Sequence, residues 1–215
     1  MGVRTLNRIM LIALTLVMAS PVFAEESVVL GNDVWPPFIL EGADRGTAEE
    51  LVCQALERAG RSCAVRVDDW DKVLEAARTG SIDGIAAAWL TPEREEFLLF
   101  SEPYLTNRIV PVIDANRPVD IKTASDLAGL RVALVRDYAY GEEIDAVMPN
   151  IDVVNSSSSE AAIQALRDGR ADAALVDELV ARDLLEEASH IISTDKVLAF
   201  RSLHFAVSLQ NPQAQ

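Results

Sequence analysis

The chain has 215 residues, half of them hydrophobic, with 19 basic against 34 acidic side chains. That is enough apolar material for the core of one large domain or two small ones, and it excludes a disordered chain. A net charge of −15 leaves no basic patch for phosphates, which excludes nucleic acid as a natural partner.

The first 24 residues read as a secretory signal. Arg4 and Arg8 form a charged start, and residues 9–19 form an apolar run too short for a comfortable membrane span. Val22, Phe23 and Ala24 then supply a small-residue cleavage site. Cleavage after Ala24 leaves 17 basic and 34 acidic residues, a net charge of −17, in a soluble, exported protein. The site is not followed by the cysteine that a lipid anchor would need.

Beyond the signal the pattern alternates strand and helix. Residues 27–31 form a strand, and 47–59 a helix with Leu51, Val52, Ala55, Leu56 and Ala59 on one face and Gly60 as its stop. A strand over 63–67, a helix over 70–79 ended by Gly80, a buried strand over 82–89 and a short helix over 92–97 follow. A second series runs strand 130–135, helix 140–147, strand 151–154, helix 159–168, strand 171–176, and a helix from Asp177 to Glu187. A capping box from Ser157 to Glu160 is expected to open the 159–168 helix. Such βα repetition implies parallel sheets with right-handed crossovers. The extended runs 105–113 and 198–209 read as two crossings between lobes.

Cys53 and Cys63 are the two cysteines, on a helix and at the start of the next strand. In an exported chain such a pair favours a disulfide over a metal site, since His190 and His204 lie too far off in sequence to complete a zinc shell.

Several motifs resemble the extracellular solute-binding proteins of family 3, which serve ABC importers of polar amino acids. They are WPPF at 35–38, Trp70 with GSIDGI at 80–85, TPER at 91–94 with FSEPY at 100–104, DLAGLRVAL at 126–134, and ALRDGRADAALVD at 165–177. Five motifs in register carry the resemblance; any one alone is weak. It implies an α/β, two-lobed periplasmic binding protein type 2 fold, each lobe a mostly parallel sheet flanked by helices, joined by two hinge crossings. The expected lobes are 25–108 with 204–215, and 109–203. Ligand would lie between them at the C-terminal ends of the strands. The resemblance further implies a periplasmic monomer that is not an enzyme, takes no cofactor or metal, binds a small amino acid-like ligand and meets a membrane permease. Family members usually continue with further helices, so the chain is read as a fragment whose first lobe is the less stable half.

The resemblance also distributes roles. Arg94 sits in the first turn of a helix, where an anion is preferred over a cation. Read from residues alone it would pair with Glu93, Glu95 or Asp83 on the surface; the family reading gives it the ligand's α-carboxylate, gripped by its guanidinium and favoured by free N–H groups at the helix start. Asp177 caps a helix and, in the family, meets the ligand's α-ammonium. Trp35 and Trp70 match aromatic walls of the ligand site. Trp89 stands where relatives carry a hydroxyl, and Tyr138 replaces another. Asp137 replaces a glycine and is expected to turn aside as a helix cap. Asn32 is a candidate partner for a ligand side chain. The bulkier, aromatic cleft suggests a small ligand, or one whose side chain is flat or cationic. A dehydratase on the same scaffold, or a sensory binding protein without transport, remain the alternatives.

Overall fold

The computed structural model describes residues 27–185 and 190–212. The signal segment, the helix end expected at Glu187 and the last three residues lie outside the described residues.

The first lobe opens with β1 (Val28–Asn32), α1 (Thr47–Arg58), β2 (Cys63–Val67), α2 (Trp70–Thr79), β3 (Gly84–Trp89), α3 (Pro92–Glu95) and β4 (Leu98–Phe100). The crossing strand β5 (Leu105–Asp114) leads to β6 (Arg131–Val135), α4 (Glu142–Asp145), β7 (Asp152–Ser156), α5 (Ser159–Arg167), β8 (Ala173–Asp177) and α6 (Glu178–Leu184). Then come β9 (Ile191–Ser193) and the returning strand β10 (Ala199–Ser208). The strands hydrogen-bond in the order β2-β1-β3-β10-β5-β8-β6-β7, with β4 added on β10 and β9 on β5. β1 is parallel to β2 and β3, and β6 is parallel to β7 and β8, so each lobe has a three-stranded parallel centre. The ten-residue strands β5 and β10 pair antiparallel over Leu105–Ile109 and Ala199–Leu203. β10 then passes to β3, and β5 to β8, which joins the two lobes through a pair of strands.

Local chemistry explains the elements. α2 buries Trp70, Val73 and Ala77, one helical face, and stops at Gly80, whose φ of 75° is the left-handed cap that glycine adopts freely. β3 is buried along its whole length, as a strand covered on both faces must be. Its Gly84 is required by close approach: a Cβ there would meet the Ala206 carbonyl oxygen at 2.2 Å. Cys53 and Cys63 are bonded, with Cα atoms 5.2 Å apart, which ties α1 to the start of β2.

Three expectations change. The helix expected over 140–147 shrinks to four residues because Gly141 takes φ 106°, and because Tyr140 turns its phenol back to accept a hydrogen bond from Val135 N at 2.9 Å. The cap of α5 is Ser158 rather than Ser157: Ser158 Oγ accepts from Ala161 N at 3.2 Å, one residue out of step with Glu160. Consequently Ser158→Ala is expected to lower stability by about 1 kcal/mol. Ser157→Ala should change it by less than about 0.5 kcal/mol. Urea midpoints of the two variants check this. Finally, β4 and β9 are three-residue strands too short to leave a periodic pattern.

Candidate functional site

The loops at the C-terminal ends of β1, β3 and β6 converge between the lobes, where parallel sheets usually hold their ligands. Asp33 and Trp35 follow β1, Trp89 ends β3, Arg94 lies in α3, Trp70 opens α2, and Tyr138 arrives from the second lobe after β6. Together with Ala87 and Ala88 they enclose a cavity of about 10 Å³. That is room for roughly one water molecule.

Trp35 is fixed by a tight turn in which its N–H and C=O both bond to Ile39, at 3.0 Å each. Trp89 is held by its indole, which donates to Asn107 Oδ1 on β5 at 2.7 Å. Trp70 donates its indole N–H to the Asp137 carbonyl at 3.2 Å. The Tyr138 ring stands edge-on to all three, with centroids 6.0 Å from Trp35, 6.2 Å from Trp70 and 5.4 Å from Trp89. Its hydroxyl donates to Asp33 Oδ2 at 2.6 Å.

Arg94 is 6 % exposed. Its guanidinium donates to the carbonyls of Trp89 at 2.7 Å and Asp137 at 2.8 Å, and lies 5.0 Å from the Trp70 ring centre. No carboxylate pairs with it among the described residues, so the surface pairing with Glu93, Glu95 or Asp83 does not form. Burial, with Arg201 close by, pulls the guanidinium down to about 10, so it stays charged at neutral pH. The expectation of free N–H groups at the α3 start is corrected: Thr91 caps that turn, its Oγ1 accepting from Arg94 N at 3.2 Å.

Asp137 does not cap a helix as expected. It takes the left-handed φ of 61°, which swings its carbonyl toward Arg94 and Trp70, and α4 begins at Gly141 without a side-chain cap. Asp177 caps α6, with Oδ1 accepting from Leu179 N at 2.8 Å and Val180 N at 3.3 Å. Its Oδ2 and Asn107 Nδ2 are buried without a well-formed hydrogen bond. Burial raises the Asp177 carboxyl above its ordinary value, partly offset by the Leu179 and Val180 amides. Asn32 spends its amide on β3, donating to Ala87 O at 3.2 Å and accepting from Ala87 N at 2.8 Å. It therefore fastens β1 to β3 and has little left for a ligand side chain.

Of the residues expected from sequence, Arg94, Trp35, Trp70, Trp89 and Tyr138 thus gather around one cavity. Asp177 lies outside that lining, at a strand end paired with Ile109, and Asn32 faces the sheet. Asp33 was not anticipated. It is 6 % exposed, and burial pushes its carboxyl up to about 6 against the opposing pull of Tyr138, Asn32 and Arg94. Its only sequence signal is its place beside Asn32 at a strand end. Arg201 also escaped notice: it reaches from β10 to Leu90 O at 3.1 Å, its guanidinium 5.9 Å from the Trp89 ring centre.

Residues 28–128 match the family model of the bacterial extracellular solute-binding proteins, family 3. The L-cystine-binding protein TcyJ of Escherichia coli K12 is 27% identical over 208 residues, spanning 90% of this chain and 78% of that protein. The virulence sensor protein BvgS of Bordetella pertussis Tohama I is 32% identical over 155 residues, 69% of this chain but 12% of the sensor. The structure of holo ArgBP from T. maritima superposes with a TM-score of 0.76 at 25% identity, covering 86% of this chain and 83% of that one.

Proposed function

We propose, from the chain's membership of the bacterial extracellular solute-binding proteins of family 3, that it captures a small amino acid or derivative between its lobes and delivers it to an ABC importer. The observation that carries this reading is Arg94, a buried cation between the lobes with no carboxylate paired to it among the described residues. A ligand carboxylate supplies the missing anion through two parallel hydrogen bonds. Asp177, with one buried oxygen unspent, receives the α-ammonium once Trp89 and Asn107 shift. Trp35, Trp70, Trp89 and Tyr138 wall the ligand's side chain. Cystine and arginine, named for the relatives above, are the first solutes to try. The ligand bridges the two lobes, which β5 and β10 join, in the closed state. The protein works as an exported, periplasmic monomer.

Calorimetry on protein refolded free of solute, against the twenty amino acids, L-cystine and common polyamines, tests the proposal. Saturable binding of at least one carboxylate-bearing solute is expected; no heat with any of them would remove it.

Two observations favour other uses of the same cleft. The match to a segment of BvgS supports a sensory role without transport. A neighbouring kinase gene, in place of permease and ATPase genes, would mark that role. Asp33, with its carboxyl raised to about 6, has what a general acid would need in a dehydratase on this scaffold. Turnover of prephenate or arogenate in a direct assay is the result that would establish it.

A further inference from the structure

Ligand-binding residues in an empty cleft ordinarily face water. Here Arg94, Trp70 and Asp33 are satisfied by the protein itself. The Asp137 carbonyl takes one hydrogen bond from Arg94 at 2.8 Å and another from Trp70 at 3.2 Å. The next residue, Tyr138, fills the space among the three tryptophans and closes on Asp33 at 2.6 Å. Both residues come from the second lobe, while Arg94, Trp70, Trp35, Trp89 and Asp33 all belong to the first. Asp137 adopts φ 61° to do this, a conformation that residues other than glycine rarely take. About 10 Å³ remains unfilled, too little for any amino acid. Beyond Asp33 a larger chamber of about 400 Å³ opens between the lobes, lined in part by Val34, Glu41, Val67 and Ser157, and Asp33 borders both spaces.

We propose that the Asp137–Tyr138 segment is a built-in occupant of the ligand cleft: it holds the two lobes together in the absence of solute, and solute binds by displacing it. The carbonyl of Asp137 offers Arg94 an acceptor, and the Tyr138 ring offers the tryptophans an apolar partner. Displacement then lowers apparent affinity by the fraction of molecules that are open. The same arrangement sets the resting state of the protein as closed.

The chain's three tryptophans all face Tyr138, so their emission reports directly on its position. The protein is unfolded in guanidinium without reductant, refolded, and shown by native mass spectrometry to carry no solute. Acrylamide quenching and small-angle scattering are then recorded for wild type, Tyr138→Ala and Tyr138→Phe, with no ligand added. The wild type should be compact and weakly quenched. Tyr138→Ala should be quenched several-fold more strongly and have a larger radius of gyration, and Tyr138→Phe, which loses the Asp33 bond alone, should fall between. A wild type already as expanded and as quenchable as Tyr138→Ala would overturn the proposal, as would a Tyr138→Ala protein as compact as wild type. Should circular dichroism show Tyr138→Ala unfolded, Tyr138→Phe carries the test alone, and quenching equal to wild type overturns the proposal. Because no solute is present, the outcome is independent of whether the protein captures an amino acid.

Discussion

Arg94→Ala is expected to weaken the binding of any carboxylate-bearing solute by at least about 100-fold, near 3 kcal/mol, as removal of one partner from a buried, charge-assisted pair does. The effect is large because Arg94 is buried and its guanidinium hydrogen-bonds to backbone carbonyls, with no carboxylate paired to it among the described residues. Exchanging the Asp137 carbonyl for a carboxylate gains a full negative charge in a water-poor site. Arg94→Lys should retain part of the affinity, since it keeps the charge but not the two-pronged geometry. The fold will also register the change. Truncation leaves the Trp89 and Asp137 carbonyls without these donors, at a cost of about 1–3 kcal/mol. Calorimetry and thermal melts on the same samples separate the two effects. Unchanged affinity in Arg94→Ala would mean that the ligand is not held by a carboxylate.

A second large effect concerns pH. Asp33 has its carboxyl raised from an ordinary 3.8 to about 6, chiefly by burial. The folded, closed protein therefore keeps this proton over a range in which the unfolded chain has lost it. The contribution of Asp33 to stability is at its fullest below about 4. It declines as pH rises from about 4 to 6 and is flat above that, a total near 3 kcal/mol. Tyr138, Asn32 and Arg94 face the carboxyl and all favour its charged form, so they moderate the rise without cancelling it. Other carboxyls oppose the trend: Asp114, Asp126 and Asp172 are held below their ordinary values by hydrogen bonds, and lose stability as pH falls. The Asp33 share is isolated by comparison with Asp33→Asn. The difference in urea-unfolding free energy between wild type and Asp33→Asn is expected to shift in favour of wild type as pH falls from 7 to about 4. A pH-independent difference would show that Asp33 titrates as an exposed carboxyl.

Much of the scaffold was legible in the chain because its signals are local. The α2 helix, residues 70–79, announces itself through Trp70, Val73 and Ala77 on one face and a left-handed Gly80 at its end. The repeated strand–helix alternation carried the two-lobed α/β reading, which the superposition on ArgBP shares. Where local signals conflict with geometry, the two differ: Gly141 at φ 106° delays to Glu142 a helix that the apolar spacing alone would start at Tyr140.

The site was less legible than the scaffold. Arg94 looked misplaced at a helix start, and only the resemblance drew attention to it; its burial depends on the second lobe supplying Asp137, 43 residues away. Asn32 and Asp33 are adjacent polar residues, and which of them faces the cleft is decided by the pleat at the end of β1. The structure gives that place to Asp33, while Asn32 is turned to β3. Asn107 and Arg201 meet across β5 and β10, 94 positions apart, a pairing no spacing rule reveals. Tyr138 could be recognised as a departure from the family pattern, but its insertion among three tryptophans is a property of lobe closure.

The central claim is that a solute carboxylate replaces a protein carbonyl on Arg94. A crystal structure of the full-length protein with the tightest-binding solute found by calorimetry tests it most directly. The account predicts a carboxylate oxygen within hydrogen-bonding distance of the Arg94 guanidinium, the Asp137 carbonyl withdrawn from it, and Tyr138 shifted away from Asp33. A solute bound elsewhere, with Arg94 still donating to Asp137, would contradict it.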